Sequence, residues 1–410
     1  CQVSTTRPIP FCELSFMTIK LSNRVQAVKP SPTLAITARA AELRAAGRDV
    51  IGLGAGEPDF DTPDHIKEAG IQAIRDGQTK YTAVDGTPKL KRAIIDKFKR
   101  ENDLEYKADQ ILVSCGGKQS FYNMAQALLD TGDEVVIPSP YWVSYPDMTL
   151  LAGGIPVFIQ AKAEQHFKIT PAQLAASMNE KTKVVVINSP SNPTGMAYSK
   201  DELVALGEVL REHPRVIIAT DDMYEHIRWV DEPFVNIVNA CPDLYERTLV
   251  LNGVSKAYSM TGWRIGYAGG PPVIIKAMKK VQSQSTSNPA SISQAAAIAA
   301  LEGPQDCIKE MLVAFKERHD YVVNRLNTMP GIECLATDGT FYCFPRVEEA
   351  IARIQGVNND LELSEYLIDK AEVALVPGSA FGLSGHIRIS IATSMDNLVK
   401  ALDRIEAVLN

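Results

Sequence analysis

Apolar segments without polar alternation, separated by helical patterns, constrain the fold of this chain more than any other feature. Residues 184–187 read VVVI and residues 216–219 read VIIA, which predicts strands that are buried on both faces. Because such strands alternate with helices along the chain, the sheet is expected to be mostly parallel and covered by helices. The sequence therefore predicts an α/β fold.

The periodicity of the apolar residues places the individual elements. It predicts helices over 63–76, 88–101, 119–129 and 142–152, and strands over 110–114, 134–138, 155–159, 183–188, 216–220 and 248–251. From about residue 310 the pattern changes to a long helix over 310–326, strands near 339–345 and 387–391, and a closing helix from Met395. The change indicates a second, smaller α+β domain.

The expected domain organisation follows from this change of pattern. We expect a large domain over 61–309, a small C-terminal domain over 310–410, and an N-terminal segment over 17–60 that docks on the small domain. Residues 1–16 have neither a basic start nor a long apolar stretch, so they do not resemble a signal peptide. We interpret them as an extension without function.

Composition and charge exclude several classes of protein. The 410 residues carry a net charge of −7 with scattered basic residues, which disfavours nucleic-acid and membrane partners. The seven cysteines contain no CxxC pair and the six histidines show no ligand spacing, so neither a disulfide framework nor a metal site is expected. No apolar run is long enough to cross a bilayer. We expect a cytoplasmic protein.

Polar residues and glycines directly follow five of the predicted strands. These segments are CGGKQ (115–119), PSPYW (138–142), NSPSNPTG (188–195), TDDMY (220–224) and NGVSK (252–256). In an open α/β sheet, ligands bind beyond the carboxyl ends of the strands. The five segments are therefore expected to converge on a single site.

Lys256 lies within the most informative of these segments, GVSKAYSMTGWRIG (253–266). Taken alone, a lysine at a strand end is a solvated charge, an ion-pair partner or a catalytic amine. Here the small residues around Lys256 allow a planar ligand to approach the backbone. A desolvated amine near other cations has a lowered pKa and can form a Schiff base, and Arg264 offers a planar cation suited to a phosphate.

The same segment resembles the pyridoxal-phosphate attachment pattern of class I aminotransferases. The resemblance runs from about residue 22 to the C-terminus and is closest to the bacterial aspartate aminotransferase branch that includes bifunctional aspartate/prephenate enzymes. It rests also on AGEPDFDTP, KYTAVDG, GGKQS, PYWVSYP, NSPSNPTG, YEH and HIRIS, which occur here in the family's order. It implies pyridoxal-phosphate fold type I, with a mostly parallel seven-stranded sheet, and a homodimer with shared active sites.

The resemblance also implies roles at the reacting end of pyridoxal 5′-phosphate. Lys256 would bind the cofactor covalently and move the proton at the substrate Cα. Asp221 would pair with the pyridine nitrogen, and a shift of one residue in the alignment would give that role to Asp222. Tyr224 and Asn192 would hydrogen-bond the phenolic oxygen of the cofactor, although Asn192 before Pro is also an ordinary turn residue.

The remaining cofactor contacts implied by the resemblance surround the ring and the phosphate. Trp142 would stack on the pyridine ring, or else be an ordinary core residue. The phosphate would be bound by residues at a helix N-terminus, in the attachment segment and in the partner subunit: Gly116, Gly117, Lys118, Ser255, Arg264 and Tyr81. Of these, Tyr81 is the residue expected to cross to the other subunit.

Substrate binding is implied for a further set of residues. Arg388 in HIRIS would bind the α-carboxylate in bidentate fashion, next to Gly56, Trp142 and Asn192. The region 282–294 contains no arginine, so Lys118 is the candidate for the distal carboxylate, unless it serves only the phosphate. Residues matching those that relatives use with prephenate are Arg24 and Thr33.

These residues lead to one functional hypothesis with two alternatives. We expect an aspartate aminotransferase that transfers the amino group of L-aspartate to 2-oxoglutarate in a ping-pong cycle. Prephenate as an additional or main acceptor, or another amino acid specificity, is the alternative within the family. A lyase on the same scaffold or a ligand-sensing regulator is disfavoured, because the motifs follow the transaminase branch and no DNA-binding domain precedes the core.

Overall fold

The computed structural model describes residues 19–30 and 32–409, without the side chains of residues 32–34. The predicted extension over 1–16 lies outside the described residues. The strands are β1 (Ile51–Gly52), β2 (Ile111–Ser114), β3 (Glu134–Ser139), β4 (Ile155–Gln160), β5 (Thr182–Asn188), β6 (Ile217–Asp221), β7 (Thr248–Gly253), β8 (Gly266–Gly269), β9 (Tyr342–Cys343), β10 (Val373–Ala374), β11 (Val376–Pro377) and β12 (Ile387–Ser390). The helices are α1 (Asn23–Ala27), α2 (Pro32–Ala45), α3 (Asp64–Arg75), α4 (Pro88–Asn102), α5 (Gly117–Leu128), α6 (Ser144–Leu151), α7 (Pro171–Ser177), α8 (Lys200–Arg211), α9 (Ile237–Ala240), α10 (Pro272–Ser285), α11 (Ser291–Glu302), α12 (Asp306–Leu326), α13 (Glu348–Arg353), α14 (Asp360–Lys370) and α15 (Met395–Leu409).

A seven-stranded sheet with the order β2-β8-β7-β6-β5-β3-β4 forms the centre of the molecule. Every neighbouring pair is parallel except the two pairs made by β8, which is antiparallel to β2 and β7. The predicted α/β class and the mostly parallel seven-stranded sheet are therefore confirmed. The pattern analysis missed β8 because its sequence, GYAG, is too short and too rich in glycine to give a strand signal.

The central strands are buried on both faces, as their continuous apolar sequences predict. Val185 and Ile187 of β5 belong to one hydrophobic cluster, whereas Val184 and Val186 belong to the cluster on the opposite face. This arrangement is the alternation of side chains across a strand, with helices covering each face. The polar residues that follow each strand are therefore the first ones free to line a ligand site.

The C-terminal part of the chain has its own core. It contains the three-stranded sheet β11-β12-β9 and buried apolar residues from α12, α14 and α15. The strand expected near 339–345 is restricted to Tyr342–Cys343. Strand β12, antiparallel to both of its neighbours, carries Arg388 into the interior.

The N-terminal segment contacts both parts of the chain. Helix α2 packs Ile36, Ala40 and Leu43 against Ile368 and Ala374 of the C-terminal part, and β1 pairs in parallel with β10. The short helix α1 instead lies against α6, beside the central sheet. No helix in the described ranges is both long enough and apolar enough to span a membrane.

Candidate active site

The polar residues that follow β5, β6 and β7 meet at the carboxyl edge of the central sheet. In the parallel register, Asn188 of β5 is level with Asp221 of β6, and Asp221 is level with Leu251 of β7. Lys256 follows β7 after a turn of small residues. The sheet therefore places Asn192, Asp221 and Lys256 along one edge, as expected from the strand-end segments.

Lys256 is a half-buried amine beside the segment 54–56. Its Nζ donates a hydrogen bond to the carbonyl oxygen of Gly56 at 2.5 Å. Desolvation lowers the pKa of the ammonium to about 8; Arg388 and Arg264 contribute to the lowering, whereas Glu57 opposes it. Roughly a tenth to a fifth of the amine is therefore neutral between pH 7 and 7.4, far more than for an ordinary lysine, and the neutral amine is the state that a nucleophile or base requires.

Asp221 and Asp222 lie in different environments, which separates the two candidates. The Asp221 carboxylate accepts hydrogen bonds from the Tyr145 hydroxyl at 2.5 Å and from the Met223 amide at 3.2 Å. Asp222 is fully buried, and its carboxylate accepts a hydrogen bond from the side-chain amide of Asn236. Burial raises the pKa of both carboxyl groups, that of Asp222 to about 7. Asp221 is the aspartate of this pair whose charge acts to raise the pKa of Lys256.

Arg388 is a buried cation whose hydrogen-bonding capacity is only partly used. It is 3% exposed and donates to the Asn192 side-chain oxygen at 3.0 Å and the Gly54 carbonyl at 2.8 Å. Its guanidinium lies 4.2 Å from the ring centre of Tyr342. The buried Nε has no hydrogen-bond partner, and no carboxylate of the described residues forms an ion pair with the group. A buried cation of this kind is suited to an external anion.

An anion-binding cradle lies at the start of α5. Gly116, with φ 86°, precedes the helix without a side-chain cap, and a Cβ there would collide with the guanidinium of Arg264. A Cβ on Gly266 would collide with the backbone of Gly117. Among the described residues, Arg264 donates to two backbone carbonyls, those of Thr261 and Cys115, and to no side chain. Free helix N–H groups beside a guanidinium are suited to bind an anion such as a phosphate.

Lys118 extends from the second residue of α5 over the indole of Trp142, with Nζ 5.3 Å from the ring centre. Desolvation, with a smaller contribution from Arg264, lowers the pKa of Lys118. Arg24 is exposed on α1, the helix that lies against α6. Arg24 is therefore a solvent-exposed residue of α1, whereas Lys118 lies at the start of α5 against Trp142.

Three further predicted site residues complete the description. The Tyr224 hydroxyl is 3.1 Å from that of Tyr342, under Arg388, and Ser255 is buried next to Lys256. Tyr81 is 91% exposed and lies outside this cleft. The side chain of Thr33 lies outside the described residues.

A buried ionic network supports the loop that carries Asp221 and Tyr224. Glu225 accepts hydrogen bonds from Lys97, Asn102 and Asn252, and Asn252 caps the backbone at Gly253. Lys97 is completely buried and lies between two carboxylates, Glu225 and Glu101. The network connects α4 to the ends of β6 and β7, so it fixes the spacing of the strand ends that carry the site.

Comparison with known proteins identifies the family. The family Aminotransferase class I and II matches residues 48–405. The chain belongs to this family. It is 60% identical to the aspartate/prephenate aminotransferase of Nitrosomonas europaea over 397 residues, 96% of this chain and 100% of the relative. It is 51% identical to the aspartate aminotransferase of Geobacillus stearothermophilus over 387 residues, 94% and 98% of the two chains.

Solved structures agree with this assignment. The aspartate aminotransferase of Rhizobium meliloti aligns with a TM-score of 0.92 at 50% identity, covering 95% of this chain and 99% of that one. The Thermus thermophilus aspartate aminotransferase with maleate aligns with a TM-score of 0.90 at 42% identity, covering 95% and 100%. The predicted fold type and the prediction of an aminotransferase are confirmed.

The sequence analysis of this aminotransferase missed Tyr145. Its ring is 1% exposed and packs edge-on against Trp142, with centroids 5.2 Å apart, while its hydroxyl orients Asp221. Tyr145 follows Trp142 by three residues in a segment expected to be helical, where side chains at that spacing lie on one face. Because Trp142 is itself predicted to contact the cofactor, this spacing is the sequence signal that indicates Tyr145.

Proposed function

We propose that this aminotransferase is an aspartate aminotransferase that uses pyridoxal 5′-phosphate to transfer the amino group of L-aspartate to 2-oxoglutarate. The observation that carries the proposal is the pair formed by Lys256 and Arg388. A partly neutral amine and a buried, incompletely bonded guanidinium both donate to carbonyls of the segment 54–56. This arrangement suits an amino acid bound by its α-carboxylate near a base.

The residues present fit pyridoxal phosphate at both of its ends. Gly116 and Gly117 begin α5 without a side-chain cap and lie beside the guanidinium of Arg264, an arrangement that suits the phosphate. At the other end, Lys256 supplies an amine for the aldehyde, and Asp221 a carboxylate for the pyridine nitrogen. When bound, the cofactor supplies an electron sink for the charge that develops at the substrate Cα.

Within that site the side chains of this chain have distinct roles. Lys256 Nζ takes the proton from the substrate Cα and later returns one, which requires the neutral amine that desolvation favours. Burial raises the pKa of Asp221, whereas the hydrogen bonds from Tyr145 and the Met223 amide act to lower it and favour the carboxylate that would pair with the ring nitrogen. Trp142, packed against Tyr145, covers a face of the ring and keeps water from it.

Substrate orientation is assigned to Arg388 and Asn192. The Arg388 Nε and one Nη hydrogen form the fork assigned to the α-carboxylate, while Asn192 holds the other side of the guanidinium. Asn192 and Tyr224 are the residues that would hydrogen-bond the phenolic oxygen of the cofactor. The Gly56 carbonyl holds the Lys256 amine until ligands enter. Because an arginine fork matches the two oxygens of a carboxylate, this contact fixes the Cα near Lys256.

The distal carboxylate of aspartate is assigned to Lys118. The region 282–294 contains no arginine, and Lys118 reaches over Trp142 towards the cleft. Relatives of the chain are named aspartate aminotransferases, and one solved relative contains maleate, a four-carbon dicarboxylate. Prephenate as a second acceptor is supported by the name of the Nitrosomonas relative; Arg24 and Thr33 are the residues we assign to it.

A homodimer belongs to the same proposal. The Tyr81 ring is 91% exposed, so its hydroxyl is free to reach the phosphate site of a second copy. The proposal is tested by mixing the enzyme and its cofactor with single amino donors and recording the absorbance change of the half-reaction. L-aspartate and L-glutamate should convert the cofactor at least tenfold more efficiently than L-alanine or L-phenylalanine, and prephenate should be tested as acceptor beside 2-oxoglutarate. Equal rates with all donors would refute aspartate specificity while leaving the family assignment intact.

A further inference from the structure

Tyr81 lies on a loop that is held firmly although the tyrosine itself contacts little. The loop connects α3 to α4, and the Tyr81 hydroxyl makes no hydrogen bond to any residue that the structure describes. Nearby, Asp85 forms ion pairs with Lys91 and Lys279, both at less than 3 Å, and its carbonyl accepts from the Val113 amide. The loop is therefore anchored independently of Tyr81.

Gln294 of α11 is a buried side chain that forms a hydrogen bond with Thr82, the residue directly after Tyr81. It is 1% exposed. Its Oε1 accepts from the Thr87 amide at 2.8 Å, and its Nε2 donates to the Thr82 hydroxyl at 3.0 Å and to the Pro289 carbonyl at 2.9 Å. One amide therefore binds the loop twice after Tyr81, at the adjacent residue Thr82 and at Thr87, the residue before α4.

Gln282 of α10 anchors the same loop from a second direction. This side chain is completely buried, and its Nε2 donates to the carbonyls of Val84 and Val113 at 2.7 and 2.8 Å. Its Oε1 accepts from Ser114 and Asn123, each at 2.9 Å. All four hydrogen-bonding positions of the amide are used, and Ser114 ends the strand that leads into the phosphate cradle.

We propose that Gln294, with Gln282 behind it, is a positioning residue for Tyr81. The two amides fix the loop so that the exposed phenol is presented in one orientation to the phosphate site of a second copy of the chain. Ordering a flexible loop costs conformational entropy, and these buried hydrogen bonds offset that cost before the subunits and the cofactor come together. The inference rests on the proposed function and assigns it two residues that do not touch the ligand.

The test is a double-mutant cycle on cofactor affinity. Gln294→Met and Tyr81→Phe are measured alone and together, with the dissociation constant of pyridoxal phosphate as the readout. Removing one hydrogen bond to a charged group raises the dissociation constant about tenfold or more, so each single variant should show a loss of this order. If Gln294 acts through Tyr81, the double variant is no weaker than Tyr81→Phe.

A second readout does not depend on the cofactor. In the protein without cofactor, Gln294→Met should accelerate hydrogen exchange at the Thr87 amide, which loses its acceptor, while Tyr81→Phe should not. Thr82→Val removes one of the three hydrogen bonds of Gln294 and replaces Gln294→Met as the test if that variant folds poorly. Thr82→Val should weaken cofactor binding less than Gln294→Met does. In the Tyr81→Phe background it should cause no further loss of affinity.

Gln110→Met is the matched control. Gln110 is also buried and makes two side-chain hydrogen bonds, to Lys107 and Tyr245, but it precedes β2 at the end away from the cradle. The Gln110→Met variant should lower the stability of the protein without changing its affinity for the cofactor. If the losses of cofactor affinity in the two single variants multiplied in the Gln294/Tyr81 double variant, the positioning role would be overturned, while the aminotransferase proposal would stand. An unchanged affinity in Tyr81→Phe would overturn the inference and the role of Tyr81 together, whereas activity of that variant would show that the reaction itself survives.

Discussion

Replacing Arg388 with glutamine removes the positive charge that we assign to the α-carboxylate, while an amide remains in the same place. The arginine holds Asn192 and the Gly54 carbonyl, and its buried Nε is unpaired. Arg388→Gln therefore removes an ion-binding group that has no ionic partner among the described residues. The Arg388→Gln substitution should therefore weaken substrate binding strongly and change the stability of the fold much less.

The size of the effect on catalysis follows from the contacts available to a bound carboxylate. A fork made by Nε and one Nη gives two charge-assisted hydrogen bonds, and each contributes about 1.5–3 kcal/mol. Their loss corresponds to a fall in kcat/KM of about 10²- to 10⁴-fold. Unfolding should change far less, because the lost contacts to Asn192 and Gly54 are offset by removal of a buried charge that is costly to desolvate.

The assay compares kcat/KM for L-aspartate with the thermal unfolding midpoint of each variant. The matched control is Arg325→Gln, because Arg325 also lies in the C-terminal part but is paired with Asp403 and Glu406. The control should leave kcat/KM within about twofold. If Arg388→Gln kept kcat/KM within tenfold of the wild type, or lost it only in proportion to unfolding, the assignment of Arg388 to the carboxylate would be wrong.

Three other variants test separate parts of the account. Lys118→Ala should reduce kcat/KM for L-aspartate at least tenfold more than for a neutral amino donor in steady-state assays; equal losses would assign Lys118 to the phosphate alone. Lys97→Met should destabilise the protein by about 3–5 kcal/mol in denaturant unfolding, because it leaves the buried Glu225 carboxylate without its cation, and adding Glu225→Gln should restore much of the loss; no recovery would contradict the buried ion pair. Burial acts to raise the pKa of Glu101, but the hydrogen bond from His226 and the charge of Lys97 outweigh burial and lower the pKa to about 2 from an ordinary 4.5. Because this pKa is depressed by folding, the stabilisation is complete above about pH 5 and is lost as the pH falls from 4.5 towards 2; Glu101→Gln should flatten that part of the pH–stability profile, and an unchanged profile would refute the assignment.

The sheet and the strand-end chemistry could be predicted because they depend on local signals. The segments VVVI and VIIA have no polar positions, and the residues after them, including Asn192 and Asp221, are brought together by the rule that parallel strands end at one edge. The resemblance to aminotransferases then distinguished Lys256 from an ordinary surface lysine. The structure adds that the Asp221 charge acts on the pKa of Lys256, whereas Asp222 is buried against Asn236.

The supporting contacts could not be predicted because they join residues far apart in the chain. Gln294 binds Thr87 and Thr82 across more than two hundred positions, and a buried glutamine has no sequence signal that separates it from an exposed one. Strand β8 was missed because Gly266 is selected for close packing on α5 and not for strand propensity. Such contacts depend on the packing of the whole molecule.

Covalent attachment of pyridoxal phosphate to one amine tests the central claim most directly. The purified protein is incubated with the cofactor, reduced with borohydride, digested and analysed by mass spectrometry. The account expects the reduced cofactor on the peptide that contains Lys256, at one equivalent per chain, and none in Lys256→Ala, which should also lose turnover. An unmodified Lys256 in an active preparation, or attachment distributed over other lysines, would contradict it.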